Sequence, residues 1–246
     1  MPAAGWTVKS GSEGSCMKRQ AILFDLDGTL LPMDVDEFVE GYFALLANWF
    51  SEYDPKALFG AVWKGIGAMM ANDGSMTNEQ RFWSVFSEEM GSSVQGQEER
   101  FVDFYATDFN GAKIFTGENP LAKPMIDLAH TRSEKVILAT NPMFPPCAIS
   151  SRLSWIGLEP SDFDYITTFD NSCYCKPAAA YYQGICEKFS LDPKQCLMVG
   201  NDLQEDGLGA MQVGMPVHIV SDCLITHGLE LSAWNHSRFA ELDLYL

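Results

Sequence analysis

The chain has 246 residues, 47% hydrophobic and 20% charged, proportions close enough to the globular average to exclude global disorder. Its 33 acids against 16 bases give a net charge of -17, which opposes binding to nucleic-acid phosphates and to anionic lipid. The length suits an α/β core with an inserted element, and no apolar run approaches the roughly 20 residues that a membrane helix needs.

Residues 1–16 are rich in Gly and Ser, show no periodicity and lack an apolar signal region. They are expected to be a disordered extension. Residues 21–24 (AILF) form a short apolar run between charge and the Asp27-Gly28 turn signal, which suits a strand buried on both faces. From about residue 34 to residue 109 the pattern changes. Phe38, Tyr42, Leu45, Leu46 and Trp49 recur at helical spacing, and Thr77 with Gln80 spells a capping box ahead of Phe82, Val85 and Phe86. This stretch predicts about four helices and no strands. The aromatic side chains Trp49, Trp63, Phe82 and Trp83 are expected in its core.

After Gly117, strands and helices alternate. Pro120 opens a helix; residues 136–139 form a strand; Pro145-Pro146 starts a helix. Residues 165–167 form a short strand, Pro177 starts the next helix, residues 196–199 form a strand, and a helix follows over residues 203–211. Residues 217–220 make the last strand, and residues 237–246 are expected to be helical. Such alternation predicts an α/β fold, a doubly wound parallel sheet with right-handed crossovers. The division expected is a core over residues 17–32 and 117–246, with a helical insert over residues 33–116.

In doubly wound sheets, ligands bind at the carboxyl ends of the strands. The first strand ends in Asp25-Leu26-Asp27-Gly28-Thr29, the second in Thr140-Asn141, and the fourth in Gly200-Asn201-Asp202 with Asp206 four residues on; Lys176-Pro177 follows the third. Carboxylates gathered at one edge are costly unless a cation neutralises them. Their hard oxygen donors point to Mg²⁺.

FDLDGTL at residues 24–30, VILAT at residues 136–140, Lys176-Pro177, and VGND with Asp206 resemble, in order, the four motifs of the haloacid dehalogenase-like (HAD) superfamily. The resemblance implies a HAD-like Rossmannoid core whose helical insert is a cap domain, hinged near Pro32 and near Thr116-Gly117. It implies that Asp25 is the nucleophile and Asp27 the general acid and base. Thr140, with Asn141 beside it, and Lys176 would bind the phosphoryl group. Asp25, the Asp27 backbone carbonyl and Asp202 would hold Mg²⁺, with Asp206 orienting that ligand or reaching metal through water. Asn201 departs from the family pattern and leaves open which of Asn201, Asp202 and Asp206 is the direct ligand.

The implied activity is a Mg²⁺-dependent phosphatase acting on a small phosphorylated metabolite through an aspartyl-phosphate. Asp27 argues against a dehalogenase, which needs no acid for a halide leaving group. A phosphosugar mutase shares all four motifs, and a catalytically silent binding module on the same fold is the reading from outside enzymes. Lys56 and Lys64, which a phosphonatase would need as a Schiff-base lysine, read as surface charges. The insert carries fourteen acids and five bases, which disfavours substrates with several phosphates; Arg81 and Arg100 are its candidate anion contacts. The four histidines show no catalytic spacing. Seven cysteines at irregular spacing suggest reduced thiols and a cytoplasmic protein, monomeric or homodimeric, with a redox role for Cys173 and Cys175 as a minor alternative.

Overall fold

The computed structural model describes residues 18–91 and 96–246. The expectation for residues 1–16 lies outside them. Six strands form one parallel sheet: β1 (Arg19–Phe24), β2 (Ser133–Leu138), β3 (Tyr165–Ile166), β4 (Cys196–Gly200), β5 (Val217–Val220) and β6 (His236–Ser237), in the order β3-β2-β1-β4-β5-β6. The chain winds outward from β1 in one direction through β2 and β3, then in the other through β4, β5 and β6. The order therefore reverses beside β1, where such sheets open a crevice.

Both faces of the sheet are covered, as the unbroken apolar strands require. Side chains alternate across it: Ile22, Phe24, Val136, Leu138, Leu197 and Val199 enter one apolar cluster, whereas Ala21, Leu23, Ile137, Cys196 and Met198 enter the other. The first cluster continues without a break into the insert through Phe38, Leu46, Phe104 and Phe109. Insert and sheet thus share one core.

The insert comprises α1 (Val35–Trp49), α2 (Pro55–Met70), α3 (Asn78–Met90), α4 (Glu98–Ala106) and a 3-10 segment, Asp108–Phe115. Asp34 caps α1 by accepting from the N–H groups of Asp36 and Glu37, and the Thr77–Gln80 capping box closes both ways at the start of α3. The chain's two passages between sheet and insert run side by side. Gly117 N–H donates to the Pro32 carbonyl (2.7 Å), and Met33 bridges Thr116. No helix among the described residues is long and apolar enough to cross a membrane.

The remaining helices are α5 (Ala122–Arg132), α6 (Pro146–Trp155), α7 (Ala179–Phe189) and α8 (Gly209–Met211). Pro177 does not open α7. A turn comes first, closed by Ala178 N–H donating to the Cys175 carbonyl (3.1 Å), and the helix starts at Ala179. The expected helix over residues 203–211 is a π-helical turn, Leu203–Leu208, running into α8. The expected terminal helix is instead β6 followed by a 3-10 turn, Phe239–Leu244, because His236 and Ser237 pair with β5. Trp63 is 52% exposed rather than part of the insert's core.

Candidate active site

Register brings the motif residues together. Phe24 lies opposite both Leu138 and Val199, so the residues after β1, β2 and β4 leave the sheet at one level. Asp25 N–H donates to the Val199 carbonyl (2.9 Å), and Ala139 N–H donates to the Phe24 carbonyl (2.7 Å). A cleft of ≈ 860 Å³ opens there, lined by Asp25, Asp27, Thr140, Asn141, Asp202 and Asp206, among others.

Lys176 sits under this cleft, its side chain fully buried. Its Nζ donates to Asp25 Oδ1 (2.8 Å) and to Asp206 Oδ1 (2.6 Å). Burial opposes the charge on Lys176, but Asp206 and Asp25 outweigh it and hold the ammonium well above its usual pKa. Asp206 is pushed up to about 7 by burial, against the pull of Lys176. Its Oδ2 also accepts from the N–H groups of Asn201 and Asp202, both at 3.0 Å. Asp206 therefore clamps the loop after β4 onto the lysine.

Asn201 and Asp202 both line the cleft but take different partners. Asn201 Oδ1 accepts from Thr29 Oγ1 (2.9 Å), and its Nδ2 donates to the Cys223 carbonyl (2.7 Å). It presses on Gly28, whose φ is +86° and where a Cβ would stand 2.3 Å from Asn201 Nδ2. Only glycine meets both conditions. Asp202 Oδ1 accepts from the N–H groups of Gln204 and Glu205 (both 2.8 Å), and Oδ2 lies 2.7 Å from His227 Nε2. Thr140 lines the cleft while its carbonyl accepts from Thr167 Oγ1 (2.7 Å) and Tyr181 OH (3.0 Å). Asn141 Oδ1 accepts from Lys176 N–H (3.2 Å), and its Nδ2 donates to Glu205 Oε2 (2.9 Å).

Asp27 has a partner that no motif announced. Arg152, on α6, is fully buried and forms an ion pair with Asp27 Oδ2. Its guanidinium stacks over the Phe144 ring, 4.3 Å from the centroid. Asp27 Oδ1 and Arg152 Nη2 are both buried without a hydrogen-bond partner. Burial raises the Asp27 carboxyl above the usual carboxylate range, with Arg152 pulling against it.

Two further residues escaped the sequence reading. Glu205 lines the cleft and is pushed up to about 8 by burial, with Lys176 opposing. His227, for which no chemistry was expected, lines the cleft against Asp202. Its only local signal is a Thr226-His227-Gly228 turn, in which His227 has φ +49°. Arg81 and Arg100 do not line the cleft; they pair with Asp73 (3.0 Å) and Glu52. Lys64 pairs with Glu89 (2.5 Å). Cys175 is buried, its thiol pushed up to about 12, which disfavours the reactive thiolate.

Among the described residues no three His, Cys, Asp or Glu side chains form a ready metal cluster. Mg²⁺ does not require one, since it takes one or two carboxylates and completes its shell with water and substrate phosphate. The hard oxygen donors of Asp25 and Asp202, in one cleft, fit that demand.

The model of the haloacid dehalogenase-like hydrolases matches residues 20–214. The chain belongs to this family. Solved structures place the hydrolase among relatives of mixed chemistry. A predicted phosphoglycolate phosphatase from Haemophilus somnus 129PT is 18% identical, with a TM-score of 0.55, covering 91% of this chain and 96% of its own. A 2-haloacid dehalogenase from Pseudomonas syringae pv. tomato DC3000 is 17% identical, with a TM-score of 0.57, covering 82% and 86%. The putative HAD-hydrolase YfnB from Bacillus subtilis, bound to magnesium, is 18% identical, with a TM-score of 0.53, covering 82% and 89%. At these identities the likeness concerns the fold. No curated protein matches by sequence.

Proposed function

We propose that this hydrolase is a Mg²⁺-dependent phosphatase acting on a small phosphomonoester, with residues 33–116 as the cap over its active site. The observation that carries this reading is the second carboxylate, Asp27, placed in the same cleft as Asp25 and paired with buried Arg152. A halide departs without a proton, whereas an alkoxide needs one. The raised pKa of Asp27 suits a proton donor. A magnesium-bound relative on the same fold adds support for the metal.

In the first step an Asp25 oxygen attacks phosphorus; the Asp25–phosphorus bond forms and the bond to the alcohol oxygen breaks. Asp27 gives its proton to the departing oxygen. In the second step Asp27 takes a proton from water, which attacks phosphorus and releases Asp25. Lys176 offsets charge on the transferring group, and Thr140 and Asn141 bind its oxygens. Asp25, the Asp27 carbonyl and Asp202 would hold Mg²⁺, which supplies further neutralisation of the phosphoryl charge.

The test is phosphate release from a panel of small phosphomonoesters, with Mg²⁺ and with EDTA, beside Asp25→Asn. Metal-dependent release that falls at least about a thousandfold in the variant is expected. Release that survives Asp25→Asn overturns the mechanism. Silence toward every ester, with isomer conversion of sugar phosphates, assigns the mutase instead.

A further inference from the structure

Helix α6 turns an apolar face to the core through Ala148, Ile149, Leu153 and Trp155, and Arg152 lies on that same face, fully buried. A charge so placed is rarely left unpaired. Its partner is Asp27 of the cleft, 125 positions away. Stability alone gives no reason for an arginine here, since an apolar pair of similar volume is often as stable as a buried ion pair.

The guanidinium is held from three sides. Its Nε donates to the Ala148 carbonyl (3.4 Å), its face rests on the Phe144 ring, and its Nη1 donates to Asp27 Oδ2. Phe144 is packed in turn by Tyr42, Tyr105 and Phe109 of the insert, with ring centroids 6.0, 6.1 and 6.2 Å away. Asp27 lines the cleft with 29% of its side chain exposed, whereas Arg152 has none exposed and does not line it. Arg152 can therefore act on a bound ester only through Asp27. The pairing engages Oδ2 and leaves Oδ1 without a hydrogen-bond partner. A carboxyl that must meet a departing oxygen at hydrogen-bond distance gains from being held in one orientation.

We infer that Arg152 is a positioning residue, holding the Asp27 carboxyl where it meets the oxygen of the departing alcohol, with Phe144 fixing the arginine in turn. This role rests on the phosphatase reading above. The test compares kcat/KM for p-nitrophenyl phosphate and phenyl phosphate, esters of similar shape, in the wild type, Asp27→Asn and Arg152→Gln. The p-nitrophenolate leaves with little need of a proton; the more basic phenolate needs one. Arg152→Gln is expected to lower the value for phenyl phosphate at least about tenfold more than that for p-nitrophenyl phosphate, as Asp27→Asn does, with inhibition by inorganic phosphate unchanged. Phe144→Leu keeps both charges and is expected to show the same asymmetry at about threefold or more. It carries the test if melting shows that Arg152→Gln does not fold. Equal losses for the two esters, or a matching loss of affinity for inorganic phosphate, overturn the role and leave the phosphatase. If the wild type takes alkyl esters alone, kcat is expected to fall at least about tenfold while KM stays within about twofold, and an unchanged kcat overturns the role. A wild type silent toward every ester removes the phosphatase reading and this role with it.

Discussion

Asp27 and Arg152 illustrate how a single ion pair joins stability to chemistry. The guanidinium is out of water, and its partner belongs to the proposed acid-base machinery. Removing one member of a buried pair strands the other. Arg152→Met is expected to cost about 3 kcal/mol, read as a lower urea midpoint. Asp27→Asn with Arg152→Met is expected to recover part of that loss, because no buried charge is then left alone. A double variant no more stable than the single one would show that Arg152 acts through its packing on Phe144 alone. Lys176 follows the same logic with two partners: flanked by Asp25 and Asp206, it keeps its charge while fully buried.

Elements position these residues through their ends. β1, β2 and β4 stop level with one another, and the Asp206 clamp turns the chain sharply after β4. β6 holds the far edge, where His218 on β5 lies buried with its Nε2 2.9 Å from Ser237 Oγ. Burial lowers the His218 pKa from 6.5 to about 4. The unfolded chain therefore binds this proton first as pH falls. The contribution is intact above about pH 6.5 and is lost as pH drops through about 4, at a cost of up to about 3 kcal/mol. His218→Gln is expected to flatten the fall in melting temperature between pH 6.5 and 4; an unchanged slope would reject this role.

At the scale of the whole molecule, insert and sheet share one apolar cluster, so anything that binds in the cleft also steadies the fold. Mg²⁺ with inorganic phosphate is expected to raise the melting temperature by a few degrees, and EDTA to reverse it. Asp202→Asn is expected to remove most of that gain. If Asp202→Asn retains the full gain while Asn201→Ala loses it, the ligand assignment passes to Asn201. The helical insert also carries the net negative charge anticipated for it, and three of its five cations pair locally: Arg81 with Asp73, Arg100 with Glu52, Lys64 with Glu89.

The alternation of apolar runs with helical periodicity determined the parallel α/β sheet and the helices α1 to α4 of the insert, because burial on both faces of a strand and on one face of a helix leaves distinct periods in the chain. The motif residues were legible for a related reason: Asp25, Thr140 and Asp202 come just after strands, and parallel strands end together, while Lys176 lies in the loop beyond β3. Partnerships across large sequence distances were not legible. Arg152 meets Asp27 across 125 positions and His227 meets Asp202 across 25, with neither pairing marked by local pattern. The split between Asn201, tied to Thr29 and Cys223, and Asp202, tied to His227, is likewise a matter of which neighbours the loop meets. The short edge strand β6 and the late start of α7 arise from pairing with β5 and from the turn after Lys176. Such contacts exist only once the sheet has assembled, because the groups that make them are brought within hydrogen-bonding distance by the fold and by nothing in their own stretch of chain.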